Sequence, residues 1–252
     1  MNDNVIVRIN CPSCNNESFD EIYQLDLMAR EMLSYLKNFY DPQGGVEIQL
    51  LKGWKYILCK CKCCELIFQK EILNDHLMEK LYEHWLDPAI QLSDSKRHNV
   101  AYYSNLSEEI KQVIDYFVRH PSELKFLGFG MGWGEWCKMA KAYGCSVAGV
   151  ELSVTRNRYA QENAISTIEP NELPNHQFDF INTEQVFEHI PNPLITLQSL
   201  KKSLAPGGLI KISVPDGVHA RKVLRRNEWS APKGTKNSMN IVAPLEHINC
   251  FN

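Results

Sequence analysis

Two groups of cysteines in the N-terminal part of the chain have the spacing of a metal site. The first group is the pair Cys11 and Cys14, and the second group lies within residues 59–64. Zinc prefers four tetrahedral thiolates, and a C-x-x-C turn lets two sulfur atoms reach one ion. The clustering therefore predicts a structural zinc site with four protein ligands. Such a site has no open coordination position for water, so the pattern does not favour zinc-dependent hydrolysis.

The second cysteine group offers more than one pair of ligands. Cys61 and Cys64 repeat the C-x-x-C spacing, and the sequence CELIF, which begins at Cys64, resembles the C-G-L-V-F end of a zinc-ribbon knuckle. Glu65 stands where that knuckle has glycine, and Cys59 and Cys63 remain alternative ligands. The predicted ligand set is Cys11, Cys14, Cys61 and Cys64.

The sequence GFGMGWGEW contains four alternating glycines, which are Gly128, Gly130, Gly132 and Gly134. Glycine loses more conformational entropy on folding than other residues, so it is retained where the backbone turns sharply or approaches a ligand closely. The run lies between a predicted strand and a predicted helix, and ligands of α/β proteins bind at this edge of the sheet. Glu151 ends the next predicted strand and could accept two hydrogen bonds from a ribose diol. The pattern therefore predicts a nucleotide-type cofactor site.

Two cofactors compete for this glycine run. An NAD site requires G-x-G-x-x-G, with the pyrophosphate at the N-terminus of the following helix. No window of the run fits, because the third glycine would fall on Trp133 or on Glu135. Glu135 at the start of the predicted helix would also repel a pyrophosphate, whereas it suits a cationic ligand. The residues thus favour a cationic nucleotide cofactor over NAD.

The elements that must position these residues follow from hydrophobic periodicity. From about residue 124, short apolar segments alternate with helical segments, which is typical of βαβ units. We therefore predict an α/β fold, a Rossmann-like parallel sheet with helices on both faces, preceded by a small zinc-binding module. A capping-box pattern predicts that the helix before the sheet begins near Ser107 and ends at Pro121. Residues 46–60 are predicted to form two strands that turn near Gly53.

Over roughly residues 124–216, the sequence resembles the class I S-adenosylmethionine-dependent methyltransferases. FLGFGMGWG lies along the family's acidic-x-G-x-G-x-G motif, with Gly128 at the position of the acidic residue. Residues 178–215 resemble the family's fourth strand, its EH-x-P-x-P turn and its fifth strand. The resemblance implies that Glu151 binds the ribose and that Glu169 lies near the adenine amino group. The cofactor-binding residues that it implies are Gly128, Gly130, Gly132, Gly134, Glu151, Glu169 and Gln185.

A four-cysteine module ahead of such a domain is similar to an arrangement in bacterial sugar C-methyltransferases and their relatives. That similarity implies a zinc ion with a structural role. It also implies a small-molecule acceptor, a sugar or a nucleotide-linked sugar, methylated at oxygen or at carbon. The acceptor itself and the methylated atom stay open at this point.

Three residues are candidates for removing the acceptor's proton. Methylation of an oxygen or carbon nucleophile requires a base, and histidine or a carboxylate can serve near neutral pH. His189 follows the fourth strand, where the resemblance implies the methyl end of the cofactor. The pair Glu246 and His247 resembles a Glu-His pair that accepts the proton in the sugar C-methyltransferases. A carboxylate beside an imidazole raises its basicity, so we expect His247 to be a strengthened base.

Composition narrows the range of partners and compartments. The 252 residues carry a net charge of −3, which leaves no broad basic surface and predicts no nucleic-acid partner. No segment approaches the roughly 18 consecutive apolar residues of a membrane span, and the N-terminus lacks the apolar region of a secretory signal. We therefore expect a cytoplasmic protein without a membrane partner.

The predicted boundaries are residues 1–75 for the zinc-knuckle module, 76–120 for a helical connector and 121–252 for the domain that resembles methyltransferases. That domain is expected to lack the usual C-terminal strand pair, because the chain ends at Asn252. The edge could be completed differently, by a partner or by a second copy of the chain. We expect an enzyme. A non-catalytic zinc-containing scaffold or a cofactor-sensing partner subunit is the alternative that Gly128 and the short C-terminus favour.

Overall fold

A computed structural model of the protein describes residues 4–252, and their contacts divide the chain into two compact units. The first unit consists of the chain up to Asp87 together with Phe187–Leu194 and Val214–Asn252. The second unit consists of Pro88–Val186 and Ile195–Ser213. In the part of the chain that the structure describes, no helix combines the length and the apolar character that a membrane crossing requires.

The second unit contains the predicted parallel sheet. Its strands are β6 (Lys125–Phe129), β7 (Ser146–Val150), β8 (Ser166–Thr167), β9 (Phe178–Glu184) and β10 (Leu204–Ser213). All neighbours are parallel, in the order β10-β9-β6-β7-β8. The chain therefore reverses its direction of winding at β6, and the carboxyl ends of β6 and its neighbours form the crevice where such sheets bind ligands. The predicted fold class is confirmed.

The second unit also contains α-helices that precede or connect the strands of this sheet. They are α3 (Pro88–Ser95), α4 (Val100–Phe117), α5 (Glu135–Ala142), α6 (Val154–Glu162) and α7 (Pro193–Lys202), the last of which begins in the first unit. In α4, the buried Ile110 and the partly buried Val113 and Phe117 recur at helical spacing and join the core around Phe126 of β6. Their spacing explains why this face of α4 turns inward.

The start of α4 differs from the prediction. The helix begins at Val100, and the side chain of Asn99 caps it by accepting a hydrogen bond from the backbone N–H of Tyr102 at 3.0 Å. Ser107 therefore lies inside the helix, and its hydroxyl contacts that of Tyr143 at 2.6 Å. The capping-box pattern at Ser107 was misleading, because Asn99, eight residues earlier in the chain and an equally good capping residue, begins the helix instead.

The first unit contains two antiparallel sheets. Its strands are β1 (Val5–Val7), β2 (Phe19–Asp26), β3 (Lys55–Cys61), β4 (Ile67–Gln69), β5 (Glu71–Leu73) and β11 (Asn249–Cys250). Strands β1 and β5 form one sheet, and the order β11-β4-β3-β2 forms the other. Its helices are α1 (Arg30–Tyr40), α2 (Asp75–Lys80) and α8 (Ala220–Arg226). The predicted strand pair at 46–60 is wrong in its first half, since Ile48–Leu51 forms a short 3-10 helix.

The two units divide the chain differently from the predicted boundaries. The unit with the cysteine groups extends to Asp87 and includes the C-terminal 39 residues, Val214–Asn252. The pairing of β11 with β4 is one cause, because it adds the end of the chain to the sheet that contains Cys59 and Cys61. A second cause is the apolar core, in which Trp229 and Leu245 join Trp54 and Trp85.

The buried side chain of Asn249 links three segments of the first unit. Its Nδ2 group donates hydrogen bonds to the carbonyl oxygens of Phe187 at 3.0 Å and Ile190 at 2.7 Å. Its Oδ1 atom accepts a hydrogen bond from the guanidinium group of Arg8 at 2.7 Å. Arg8 is itself buried, and burial lowers its pKa to about 9. Burial of polar groups costs free energy unless they are hydrogen-bonded, and Asn249 supplies a partner to each of these groups.

We expect the substitution Asn249→Ala to lower the free energy of unfolding by roughly 2–4 kcal/mol, because it leaves a buried cation and two buried carbonyl groups without this partner. Urea denaturation followed by circular dichroism measures the change. Asn38→Ala is the matched control, since Asn38 is exposed on α1 and should change stability by less than about 0.5 kcal/mol. Equal effects of the two substitutions would contradict the role given to Asn249.

Candidate functional site

The glycine run forms a tight loop between β6 and α5 in the second unit. Gly130 and Gly132 have φ angles of +65° and +56°, in the left-handed region that other residues disfavour. The backbone N–H of Gly130 donates to the carbonyl oxygen of Val150 at 2.9 Å, which holds the loop against the end of β7. A Cβ atom at position 132 would meet no atom of the described residues within 4 Å, so this face of the loop is open.

Glu151 follows β7 and is hydrogen-bonded to this loop. Its Oε2 atom accepts a hydrogen bond from the backbone N–H of Gly132 at 2.9 Å, and its Oε1 atom accepts one from Ser153 at 3.0 Å. The guanidinium group of Arg156 lies 3.9 Å from Oε1. These donors fix the orientation of the carboxylate, and each oxygen keeps a second lone pair for a further donor.

A cavity of about 440 Å³ lies beside the loop, within the size range of small-molecule sites. Its lining comes from α4, the glycine loop, α5, β9 and β10. Three of the predicted cofactor residues, Gly128, Gly130 and Gly132, are part of this lining. Of the residues that the structure describes, the other predicted cofactor residues do not line it, namely Gly134, Glu151, Glu169 and Gln185.

Those other residues lie elsewhere in the second unit. Gly134 caps the N-terminus of α5, and a Cβ atom there would lie 2.6 Å from Cδ1 of Ile165. Glu169 is exposed at the start of a 3-10 turn, where its backbone N–H donates to the carboxylate of Glu172 at 3.1 Å. Gln185 is exposed directly after β9 and has a φ of +52°. Glu151 also lies outside the lining, and it contacts the glycine loop through its hydrogen bond with Gly132.

Charged side chains that the sequence analysis did not single out occupy the polar end of the cavity. The Nζ atom of Lys211 lies 2.6 Å from Oε2 of Glu109 and 2.7 Å from Oε2 of Glu184. Burial of Lys211 opposes its charge, but the two carboxylates outweigh this effect and raise its pKa. The three residues lie far apart in the sequence, on α4, β9 and β10. Among them, only Glu184 could have been identified from the sequence, because it lies near the end of a predicted strand.

The four predicted metal ligands come together in the first unit. The sulfur atoms of Cys11, Cys14, Cys61 and Cys64 all lie within 4.8 Å of one another. Two contacts, Cys11 to Cys64 and Cys14 to Cys61, measure 3.5 Å. Tetrahedral zinc with sulfur ligands at about 2.3 Å requires sulfur–sulfur distances of roughly 3.8 Å, so this donor set fits zinc.

The two cysteine turns also have the same backbone geometry. The backbone N–H of Cys11 donates to the carbonyl oxygen of Asn16 at 2.9 Å. The backbone N–H of Cys61 donates to the carbonyl oxygen of Leu66, also at 2.9 Å. The residue after the second cysteine of each turn, Asn15 or Glu65, has a φ near +60°, at 59° and 63° respectively. Glu65 thus adopts the left-handed conformation for which a knuckle ordinarily uses glycine. Cysteines 59 and 63 are not members of this cluster of described residues.

The predicted catalytic residues also meet in the first unit. The Nδ1 atom of His189 lies 2.9 Å from the backbone oxygen of Glu246, and its ring centroid lies 5.1 Å from that of His247. Glu188, which the sequence analysis missed, is buried beside them, with its Oε1 atom 3.8 Å from Nε2 of His189. The EH dipeptide at residues 188–189 is the sequence signal that could have identified Glu188.

The expected strengthening of His247 by Glu246 is wrong. The carboxylate of Glu246 accepts a hydrogen bond from the hydroxyl of Tyr40 at 2.8 Å. Burial is the main influence on His247, and it lowers the pKa of this imidazole to about 4, with a smaller contribution from Lys233 in the same direction. The basicity of His247 is therefore set by its buried environment and not by the carboxylate that precedes it in the sequence.

Comparisons with known proteins agree with this fold. A family model described as a methyltransferase domain matches residues 102–249. The chain is 28% identical over 149 residues to a ubiquinone biosynthesis O-methyltransferase of Actinobacillus pleuropneumoniae serotype 5b (strain L20), over 50% of this chain and 62% of that protein. It is 31% identical over 97 residues to phosphoethanolamine N-methyltransferase 1 of Zea mays, over 34% of this chain and 19% of that protein. The chain thus spans less than two thirds of these curated relatives.

Two solved structures are similar at lower identity. The plantazolicin methyltransferase BpumL, in complex with a pentazolic desmethylPZN analog and SAH, is 16% identical with a TM-score of 0.46, over 65% of this chain and 64% of that chain. An S-adenosylmethionine-dependent methyltransferase from Mesorhizobium loti is 19% identical with a TM-score of 0.36, over 43% of this chain and 54% of that chain.

The match to the family model covers more than half of the 252 residues. It includes all five strands of the parallel sheet, the glycine loop and Glu151. The chain therefore belongs to the methyltransferase-domain family.

Proposed function

We propose that the protein is an S-adenosylmethionine-dependent methyltransferase. The observation that carries this proposal is the hydrogen bond between Glu151 and the backbone of Gly132, at the open face of the glycine loop. A carboxylate held there can accept hydrogen bonds from a ribose diol. The cavity beside it is lined by three carboxylates and one ammonium group, from Glu109, Glu135, Glu184 and Lys211. The resulting negative charge suits a cationic nucleoside and disfavours a pyrophosphate.

Bound S-adenosylmethionine would supply an electrophilic methyl group on its sulfonium. The protein's part in such a displacement is mainly to hold the nucleophile and the methyl group in line. In the proposal, the carboxylate of Glu151, which the loop N–H of Gly132 orients, binds the nucleoside. Water exclusion and alignment then depend on the apolar lining of the cavity, which includes Met131 and Trp136.

For the proton acceptor, we propose His189 rather than His247. The Nδ1 atom of His189 faces a backbone carbonyl oxygen, so this nitrogen carries the proton and Nε2 is the basic atom. The carboxylate of Glu188 lies near Nε2 and would stabilise the imidazolium that forms. Burial lowers the pKa of His247 to about 4, so this imidazole is a weak base near neutral pH. Glu246 acts in this proposal through its backbone oxygen, which orients His189.

For the acceptor, we propose a small molecule methylated at oxygen or carbon, of the class of sugars and nucleotide-linked sugars. An oxygen acceptor is supported by the curated relatives that are O-methyltransferases. A sugar is supported by the resemblance of the cysteine module to that of the sugar C-methyltransferases. For the cysteine cluster, we propose a structural zinc held by Cys11, Cys14, Cys61 and Cys64, whose sulfur atoms lie within 4.8 Å of one another.

The first prediction from this proposal concerns the cofactor. Calorimetric titration should give micromolar binding of S-adenosylhomocysteine and no binding of NADH. Glu151→Ala should weaken the binding at least about tenfold, because a charge-assisted hydrogen bond to the ribose is lost. Glu162→Ala, which changes an exposed carboxylate on α6, is the control and should leave the affinity unchanged. Binding of NADH instead, or unaltered affinity of the Glu151 variant, would contradict the proposal. A folded chain that binds neither compound would favour the non-catalytic scaffold.

The second prediction concerns the metal. Elemental analysis of the purified chain should give about one zinc per chain, the stoichiometry of a four-thiolate site. Serine at any of the four clustered cysteines should reduce zinc content and lower the melting temperature, because metal binding contributes directly to the stability of such modules. Cys63→Ser is the matched control, since Cys63 is exposed and lies within the same turn. Loss of zinc in the control with retention in Cys61→Ser would overturn the ligand set.

The third prediction separates the two histidines. His247 has a folded-state pKa of about 4, below the ordinary value of 6.5, so the unfolded chain binds more protons in this range. Stability should therefore fall as the pH decreases from about 6.5 to about 4. His247→Gln should flatten this dependence in urea titrations, whereas His189→Gln should abolish methyl transfer without flattening it. The proposal fails if His189→Gln keeps full activity with a functional acceptor.

A further inference from the structure

Glu188, His189 and His247 form a second group of metal-ligating side chains, which we call the His-Glu cluster. Each of the three residues offers one ligand atom, and these atoms all lie within 4.8 Å of one another. The cluster lies wholly in the first unit, where it joins two segments that are distant in the sequence. It contains no cysteine, so its chemistry differs from that of the four-cysteine site.

The two imidazole rings each direct a basic nitrogen into the cluster. The Nδ1 atom of His189 lies 2.9 Å from the backbone oxygen of Glu246, so Nδ1 carries the proton and Nε2 bears the lone pair. A histidine that binds a metal usually has this arrangement, with its other ring N–H donated to a backbone carbonyl or a carboxylate. The Nδ1 atom of His247 is buried and has no hydrogen-bond partner among the described residues. A buried polar atom of this kind requires a partner, which a metal ion would supply.

The spacing of Glu188 and His189 fits coordination better than a direct hydrogen bond. The Nε2 atom of His189 lies 3.8 Å from Oε1 of Glu188, beyond hydrogen-bonding distance. Two ligands at about 2.1 Å from a tetrahedral ion lie roughly 3.4 Å apart, so the pair would need to close only slightly. The side chain of Glu188 is 2% exposed, and a divalent cation at this position would balance the charge of its buried carboxylate.

We propose that the His-Glu cluster binds a divalent transition-metal ion, through Nε2 of His189, Nδ1 of His247 and a carboxylate oxygen of Glu188. Two imidazoles and one carboxylate suit zinc, iron or cobalt, whereas magnesium and calcium prefer oxygen ligands alone. Three protein ligands leave at least one coordination position for water. Because no thiolate takes part, we expect this ion to be held more weakly than the zinc of the four-cysteine site and to exchange with added metal.

The ion would occupy the atom that accepts the proton in the proposed function, Nε2 of His189. A metal ion and a proton compete for the same lone pair, so the metal-loaded cluster would not act as a base. Metal binding at the cluster does not depend on the proposed function, because it can be measured without cofactor or acceptor.

The test uses the full chain, with zinc loaded at the four-cysteine site, and Co²⁺ as the probe. Calorimetric titration should give binding of about one Co²⁺ per chain, the stoichiometry of a single site with three protein ligands. Weak cobalt d–d absorption should appear without strong thiolate-to-cobalt charge-transfer bands. X-ray absorption at the cobalt edge should show imidazole ligands and no sulfur at about 2.3 Å, and this measurement requires no variant.

Variants of the cluster should weaken the binding selectively. Glu188→Gln and His247→Gln should each reduce the affinity for Co²⁺ at least about tenfold, because loss of a ligand costs at least as much as loss of a group that orients one. His219→Gln is the matched control, since His219 is exposed directly before α8 and should leave the affinity unchanged. Zinc content should be the same in all three variants, and thermal melting confirms that each is folded.

Three results would overturn the inference. The first is a folded, zinc-loaded wild-type chain that binds no Co²⁺. The second is sulfur among the cobalt ligands, which would place the ion at the cysteines. The third is unchanged affinity in both ligand variants, or an equal loss in the His219 control, which would assign the ion to other side chains. If the same preparation binds Co²⁺ as expected but no S-adenosylhomocysteine, the proposed function fails and the metal site stands.

Discussion

The hydrogen bonds of Asn249 are the constraint on which the arrangement of the first unit depends. One amide side chain, buried near the end of the chain, joins Arg8 to the backbone of Phe187 and Ile190. These groups are largely withdrawn from water, and burial of a polar group is costly unless it is hydrogen-bonded. The strand β11 begins at the same residue and completes the sheet that carries part of the cysteine group. The cysteine turns therefore belong to a core built from both ends of the chain.

The same network brings the two histidines together. The backbone N–H of Asn249 donates to the carbonyl oxygen of Glu188 at 3.0 Å, which fixes the segment that carries His189 against the segment that carries His247. The histidines are close neighbours with different properties. Burial lowers the pKa of His247, whereas a carbonyl oxygen sets the proton-bearing nitrogen of His189. Local environment thus separates two side chains whose sequence contexts, each beside a glutamate, are alike.

In the second unit, steric limits at the glycine loop determine where charge can lie. Gly128 has no space for a side chain beside Cys137, so this position contributes only backbone to the cavity. Gly132 has an open face and instead engages Glu151 through its N–H group. The negative charge of the cavity therefore comes from α4, α5 and β9, which are separate elements of the unit. The four-cysteine site of the first unit differs in this respect, because two short turns supply all of its donor atoms.

The sequence by itself determined the features that depend on local chemistry. The alternation of apolar segments predicted the parallel sheet, the glycine run predicted the tight loop after β6, and the C-x-x-C spacing predicted which four cysteines would meet. These features could be predicted because periodicity, left-handed backbone and turn geometry are set by neighbouring residues. Only the tertiary structure decided the unit boundaries, the partner of the Glu246 carboxylate and the meeting of Glu109 with Lys211. Those contacts join residues that are distant along the chain, and their existence depends on how separate elements pack rather than on any spacing within one element.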